Sequence, residues 1–350
     1  MKTCCHRILA CVCLLCTLTP VALGQTKQPV DYVDPHIGSV SHLLKSEPPT
    51  VQLPFGMMRL APLTSPGISD SYLAEKIYGF PVDGAVLMPT TGPVETDPAK
   101  NASLYDHDFE TAIPYYYAVT LEKTNTQVEF TVTERAVYFR IAYPKPSERH
   151  MVIRVRGGML SADPAHSALS GFEDIRGARH YFYAESSRPF RVWGAWEGSK
   201  VSPGLATETG TNIGVALTFP AAAANPSEWR MGISYISVEQ ARRNVEEQIP
   251  AWNFAAVKSR ARNVWNQALG KIAVSGGSED EKTIFYTALY RSLGGMADIT
   301  EDGKYYSGYD KQVHATDGHD FYVDDSLWDT YRSEHPLELL LSPGRQLDMV

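Results

Sequence analysis

The feature that most constrains this chain is a change of period near Ser237. Upstream, from about Tyr32 to Tyr235, apolar residues recur at every second position. Val128, Phe130 and Val132 alternate with Gln127, Glu129, Thr131 and Thr133. Val137, Phe139 and Ile141 alternate with Tyr138 and Arg140, and Ile153 and Val155 with Arg154 and Arg156. Ile213, Val215 and Leu217 make a further run. Successive strand side chains point to opposite faces, so this pattern predicts antiparallel strands packed on one face and polar on the other. Pro144, Pro146, Gly157-Gly158 and Pro189 punctuate the runs. So many strands over roughly 200 residues predict a large β-sandwich.

Downstream the spacing becomes helical. Ser237 and Gln240 have capping-box spacing, and the helix they open runs towards Ile249, where Pro250 interrupts it. Phe254, Val257, Ala261, Val264, Trp265 and Leu269 then recur at three- and four-residue intervals, the stripe of an amphipathic helix. Lys271 to Ser275 suggests a short strand ending at Gly276-Gly277. Ser278 and Glu281 form a second capping box, and the helix stops at Gly294-Gly295. A loop to about Asp325 precedes a last helical stretch to Leu341, with Pro336 expected to start a second short helix. The expected organisation is a leader at 1–24, a sandwich at 25–236, a helical linker at 237–270 and the start of an all-α domain at 271–350. The last segment has too few residues for a core of its own, so the second domain is expected to be incomplete.

The leader has an export pattern. Lys2 and Arg7 precede an apolar run from Ile8 to Ala22, and Ala22-Leu23-Gly24 supplies small residues for a cut before Gln25. The run is too short for a membrane span. All five cysteines (Cys4, Cys5, Cys11, Cys13, Cys16) lie within the leader. Cys16 follows Leu15 rather than a small residue, which argues against a lipid anchor. The exported chain would therefore be stabilised by core burial without disulfides, in the periplasm or outside the cell. Without Lys2 and Arg7 it carries 30 basic and 40 acidic residues. That balance argues against nucleic acid, which needs a basic face. Asn101-Ala102-Ser103 is a glycosylation sequon that matters only in a glycosylating host.

Several runs together resemble one family. They are Val33-Asp34-Pro35-His36-Ile37-Gly38, Leu53-Pro54-Phe55-Gly56-Met57, Leu87-Met88-Pro89-Thr90, Tyr105-Asp106-His107-Asp108-Phe109-Glu110, the linker Ser234 to Ala241, Phe285 to Ser292, and Tyr305 to Asp348 with Gly318 to Tyr322 and Ser326 to Arg332. In this order they resemble glycoside hydrolase family 92, the bacterial α-mannosidases, over nearly the whole exported chain. The resemblance implies a β-supersandwich of the galactose-mutarotase type, a two-helix linker and an (α/α)6 toroid. It implies hydrolysis of α-mannosides with inversion, which needs a Glu acid and an Asp base set far enough apart to admit a water. It also implies Ca²⁺, an ion suited to oxygen ligands such as sugar hydroxyls. The carboxylates and metal ligands belong to later toroid helices, so none maps onto these residues, and the 350-residue product is expected to be inactive alone. The sequence departs from the family pattern at Ser39 to Pro49, at Tyr72 to Phe80 and at Tyr115, where a glycine is usual.

Among individual residues, Trp328 and Asp329 carry the strongest site signal. An aromatic beside a carboxylate suits a sugar, and the resemblance places the pair in the pocket for the non-reducing residue. The alternative is a core Trp and an Asp near a helix start. Asp324, Asp325 and Asp329 could form an acid pair or a Ca²⁺ cage, but helix capping is favoured. His314, Asp317, His319 and Asp320 lack zinc spacing. His42 is a loop residue that could touch substrate or only solvent. Tyr115-Tyr116-Tyr117, Trp193 and Trp196 could be sugar platforms, with packing the stronger expectation. No phosphate loop, serine-hydrolase elbow or paired Cys ligands are present. The rival to a glycosidase is a non-catalytic carbohydrate-binding protein, or one half of a split enzyme that pairs with a complementary catalytic chain.

Overall fold

The computed structural model describes residues 27–39, 47–64, 74–144, 148–220, 225–323 and 327–350. The leader, His42, Asp324 and Asp325 lie outside the described residues. Thirteen strands make one antiparallel ladder. They are β1 (Phe80–Val82), β2 (Ala85–Thr91), β3 (Thr111–Ile113), β4 (Tyr116–Leu121), β5 (Thr126–Val132), β6 (Ala136–Ala142) and β7 (Arg149–Asp163). There follow β8 (Ala168–Ile175), β9 (Ala178–Ser186), β10 (Arg191–Glu197), β11 (Lys200–Pro203), β12 (Thr207–Phe219) and β13 (Ser227–Ser234). The order is β11-β10-β12-β7-β8-β9-β13-β6-β5-β4-β3, with β2 also on β7 and β1 on β2.

The ladder branches at β7. Most of its length pairs with β12, from Arg149 opposite Phe219 to Ser161 opposite Thr207. On its other edge Arg149–Arg154 pair with β2, whereas Gly158–Asp163 pair with β8. Gly157-Gly158 therefore does not end a strand, as the sequence suggested. It is where one strand changes partners. Gly158 sits at φ +149°, and a Cβ there would fall 2.0 Å from the Phe172 carbonyl oxygen, so only glycine allows β8 so close.

Ring contacts show how the ladder closes into a β-sandwich. Phe80 on β1 meets Tyr117, Phe130 and Phe139 of β4, β5 and β6 edge-on at 6.5, 5.9 and 6.2 Å. These strands are far from β1 and β2 along the ladder, so the two parts face each other across the core. Val128, Phe130, Val132, Val137, Phe139 and Ile141 are all buried there, as their alternation predicts.

The expected polar outer face is partly covered. Tyr138 and Ala136 are also buried, against Val245, Ile249, Phe254 and Val257. These belong to helices α1 (Val238–Gln248) and α2 (Phe254–Leu269), with the short connection between them. Alternation reports which residues share a face but not what later packs on it. Gly232 of β13 makes room for α1, because a Cβ there would lie 2.3 Å from the Ala241 carbonyl oxygen. Trp196 covers Ala216 and Val152 in the same way on β12 and β7.

The helix signals hold with local corrections. Ser237 Oγ accepts from Gln240 N–H, but the Gln240 side chain donates to Asn244 and Asp302, leaving the capping box half made. Helix α3 (Glu279–Leu293) has the complete box, Ser278 with Glu281. Val264 is exposed rather than part of the buried stripe of α2. Lys271–Ser275 is not a strand. It has no ladder partner, and its backbone turns to Tyr286, whose hydroxyl donates to Ile272 O at 3.1 Å and accepts from Val274 N–H at 3.3 Å. Helix α4 (Thr330–Leu341) runs through Pro336, which does not start a new helix. The φ of proline is already helical, and α4 gives up only the bond that Pro336 cannot donate. Pro343 occupies the starting position of α5 (Pro343–Asp348) instead.

Candidate functional site

Two turns of the sandwich hold the last helices. The first is Leu53–Met58, in which Phe55 adopts φ 58°. Phe55 N–H donates to Leu293 O at the end of α3 (3.0 Å), and its carbonyl accepts from Asp298 N–H at 2.8 Å. Met58 N–H donates to Glu134 O in the sandwich at 2.9 Å. The Arg345 guanidinium of α5 lies 4.3 Å from the Phe55 ring centre. One turn thus ties the sandwich to α3, the segment after it and α5.

The second turn is Asp34–Gly38. Thr287 and Arg291 stand four residues apart on α3, hence on one helix face. Thr287 Oγ1 accepts from Asp34 N–H at 2.9 Å, and Arg291 Nη2 donates to Pro35 O at 2.8 Å. This presents His36 to Glu110, a carboxylate whose side chain is 1 % exposed. Glu110 Oε2 lies 3.3 Å from His36 Nε2 and 2.8 Å from His107 Nδ1, and Oε1 accepts from the Tyr117 hydroxyl. Burial alone would raise the Glu110 pKa, but the hydrogen bonds from His36, Tyr117 and His107 outweigh it and leave the carboxyl below its ordinary value. His36 is pushed up to about 9 by its bonds to Asp34 and Glu110. Burial, then the Glu110 charge, raises Tyr117 well above the usual phenol. Glu110 is an ionised acceptor already in use, so it is built to hold the Asp34–Gly38 turn to Tyr117 and His107 rather than to deliver a proton.

Trp328 and Asp329 stand at the entrance to α4. Trp328 is 81 % exposed, flanked by exposed Leu327 and Tyr331. Asp329 occupies the cap position of α4 without making a side-chain cap bond, and meets Arg332 at 3.4 Å. Both partners of that pair are mostly in solvent, so it adds little stability. An open indole face beside a carboxylate can stack on a sugar C–H face and accept from its hydroxyls. The core-Trp alternative does not apply to Trp328.

The remaining candidates disperse. His314 pairs with Asp310 at 2.8 Å, and His319 with Asp348 at 2.9 Å. Tyr115, Tyr117 and Trp196 are buried and Tyr116 and Trp193 half-buried, so the aromatic set is chiefly packing. The sequon asparagine is buried too, and Asn101 Nδ2 donates to Glu95 O at 2.7 Å. Among the described residues no three His, Cys, Asp or Glu side chains gather as a metal cage.

Two residues escaped sequence reasoning. Glu110 stood in a quoted motif, but its partners His36 and Tyr117 come from separate segments. The density of His, Asp and Glu in Tyr105–Glu110 was the available signal. Glu338 was counted within an apolar helix. It is fully buried, neither oxygen has a hydrogen-bond partner among the described residues, and burial raises its pKa.

Comparison with known proteins adds four findings. The model of the glycosyl hydrolase family 92 N-terminal domain matches residues 32–234, and that of the family's catalytic domain matches residues 240–350. The solved family GH92 inverting mannosidase from Bacteroides thetaiotaomicron superposes with a TM-score of 0.82 at 27 % identity, over 90 % of this chain and 46 % of that one. A family GH92 α-mannosidase from the same organism, solved with mannoimidazole, gives a TM-score of 0.79 at 24 % identity, over 89 % of this chain and 46 % of its own. An uncharacterized secreted glycosidase from Arthroderma benhamiae is 37 % identical over 94 residues, 25 % of this chain and 12 % of that protein. The chain thus spans about half the length of the solved relatives.

Proposed function

The chain belongs to glycosyl hydrolase family 92, and from that premise we propose that it is the N-terminal portion of an exported glycosidase acting on α-mannoside glycans. Trp328 and Asp329 receive the non-reducing sugar. The indole stacks on the ring, and the carboxylate exchanges its exposed bond to Arg332 for sugar hydroxyls. The acid and base carboxylates and the Ca²⁺ ligands come from toroid helices outside these residues, so this portion binds sugar but does not turn it over. Export carries it to the periplasm or beyond the cell. Support comes from the matching domain models and, above all, from the 81 % exposure of Trp328 beside a carboxylate that caps nothing. The test is an α-mannosidase assay on residues 25–350 with added Ca²⁺, alongside tryptophan fluorescence during titration with methyl α-D-mannopyranoside. Binding without turnover is expected. Ca²⁺-dependent turnover would remove the claim that the catalytic groups lie elsewhere, and a number of sugar sites unchanged by Trp328→Ala would remove the claim for the pocket.

The second reading is a non-catalytic glycan binder or one half of a split enzyme. The exposure of Leu339, Leu340 and Leu347 on α4 and α5 favours it, since apolar helix surface of this kind calls for a covering partner. Under this reading, co-expression with a complementary toroid chain yields a stable complex.

A further inference from the structure

A cavity of about 660 Å³ opens on the sandwich, between the β1–β2 hairpin, β7, β10 and the start of the Ile213 run on β12. That is ample for a sugar residue. None of its lining residues comes from the two turns that hold the last helices, from helices α1 to α5, or from Trp328 and Asp329. Its floor is apolar, with Pro81, Val86 and Ile213, and its polar groups include Asp97, Arg154 and Asn212.

The charges around the cavity are unequally committed. Arg156 is closed onto Glu173 at 2.6 Å, and Asp83 onto His180 at 2.8 Å. Among the described residues, Arg154 Nη2 donates to the Tyr78 carbonyl at 3.1 Å and its Nε is buried without a partner. Asp97 Oδ1 accepts from Ala99 N–H at 2.9 Å, capping the single turn Pro98–Asn101. A carboxylate has further acceptor sites beyond one such bond. The cavity therefore offers a donor, an acceptor and an amide over an apolar floor, with the Arg154 and Asp97 charges offsetting each other. An anion bound by Arg154 would be repelled by Asp97, whereas a neutral polyol can give hydrogens to Asp97 and accept them from Arg154. Its C–H face would lie on the prolines and aliphatic side chains.

We propose that this cavity is a second, accessory site for a neutral sugar residue, separate from Trp328 and Asp329. It would hold a further part of the glycan to the sandwich. The choice of a glycan as ligand rests on the family reading, but the cavity and its polar groups do not.

The experiment is a titration of the full chain with methyl α-D-mannopyranoside, followed by nuclear magnetic resonance at the Asn212 amide and the Trp196 indole N–H. Saturable shifts at both are expected. In Arg154→Met they should weaken on the order of tenfold, the scale of one lost hydrogen bond to a charged group. Asp97→Asn keeps a capping side chain and should weaken binding while leaving the fold intact. In Trp328→Ala the cavity shifts should persist unchanged, so failure of the Trp328 pocket and failure of the cavity are told apart. No saturable shift, unchanged binding in both cavity variants, or tighter binding of glucuronate than of the neutral sugar would each overturn the proposal.

Discussion

In the sandwich, the buried carboxylate of Glu110 is met by His36, His107 and Tyr117. In the closing helices, the buried carboxylate of Glu338 has no hydrogen-bond partner among the described residues and feels Arg345 and Lys271 only through their charge. The aromatic residues divide the same way. Phe130 and Phe139 are at most 1 % exposed, whereas Trp328 is 81 % exposed. The sandwich supplies both sides of its own core, since β1 and β2 fold back over β4, β5 and β6. Helices α4 and α5 are held by Arg345 on Phe55, His319 on Asp348 and Lys271 Nζ on Leu341 O at 3.0 Å, with Leu337, Leu341 and Met349 half-buried against the core. Their outer faces remain open. A region whose polar groups are satisfied and whose apolar groups are covered carries stability, and one that leaves both unmet contributes less of it.

The largest effect should come from breaking the satisfied carboxylate. Glu110→Ala leaves His36 and Tyr117 facing a void and should cost about 3–5 kcal/mol in urea denaturation of the sandwich. The pH dependence is specific. Glu110 is lowered from 4.5, so its contribution is present above that value and lost as pH falls through the folded pKa. His36 is raised from 6.5 to about 9, so its contribution is full below 6.5 and lost as pH rises through about 9. The gap between wild type and variant should therefore be widest between these limits. A gap that stays flat in pH would mean that the hub acts by packing alone.

The unsatisfied carboxylate should behave oppositely. Glu338→Leu is expected to stabilise α4 by about 1–3 kcal/mol near neutral pH, because it removes a buried group without partners. Burial raises the Glu338 pKa above 4.5, so the folded state holds its proton more tightly than the unfolded chain. Wild-type stability is then fullest below 4.5 and falls as pH rises towards the folded pKa, so the advantage of the variant should shrink in acid. Loss of stability in Glu338→Leu would show that the carboxylate has a use.

Smaller effects sharpen the contrast. Ser278→Ala breaks the complete capping box of α3 and should cost about 1 kcal/mol, seen as faster amide exchange in the first turn. Trp328→Ala should change thermal stability by no more than about 0.5 kcal/mol, because an exposed side chain leaves no cavity behind. A large loss there would place Trp328 in a core.

Legibility followed the range of the interaction. Val128, Phe130 and Val132 declared their strand and their face, because side-chain alternation is a property of neighbouring residues. Ser278 and Glu281 declared the start of α3 for the same reason. Gly157-Gly158 misled, because a glycine that ends a strand and one that admits a second partner look alike in sequence. Lys271–Ser275 misled because apolar residues without a pairing edge cannot make a strand. Trp328 and Asp329 could be picked out by type, and only their exposure separated an offered surface from a core.

The sequence by itself determined the strand-rich first part, the shift from one period to the other at Ser237, the helices opened at Ser237 and Ser278, and the family to which the chain belongs. Tertiary structure alone decided that Tyr138 is buried by helices more than a hundred residues later in the chain, that Glu110 gathers His36, His107 and Tyr117, and that Arg154 and Asp97 share one cavity. Local patterns fix backbone conformation within a few residues. Burial, ionisation and pocket shape depend on which distant segments arrive, and no spacing along the chain encodes that meeting directly.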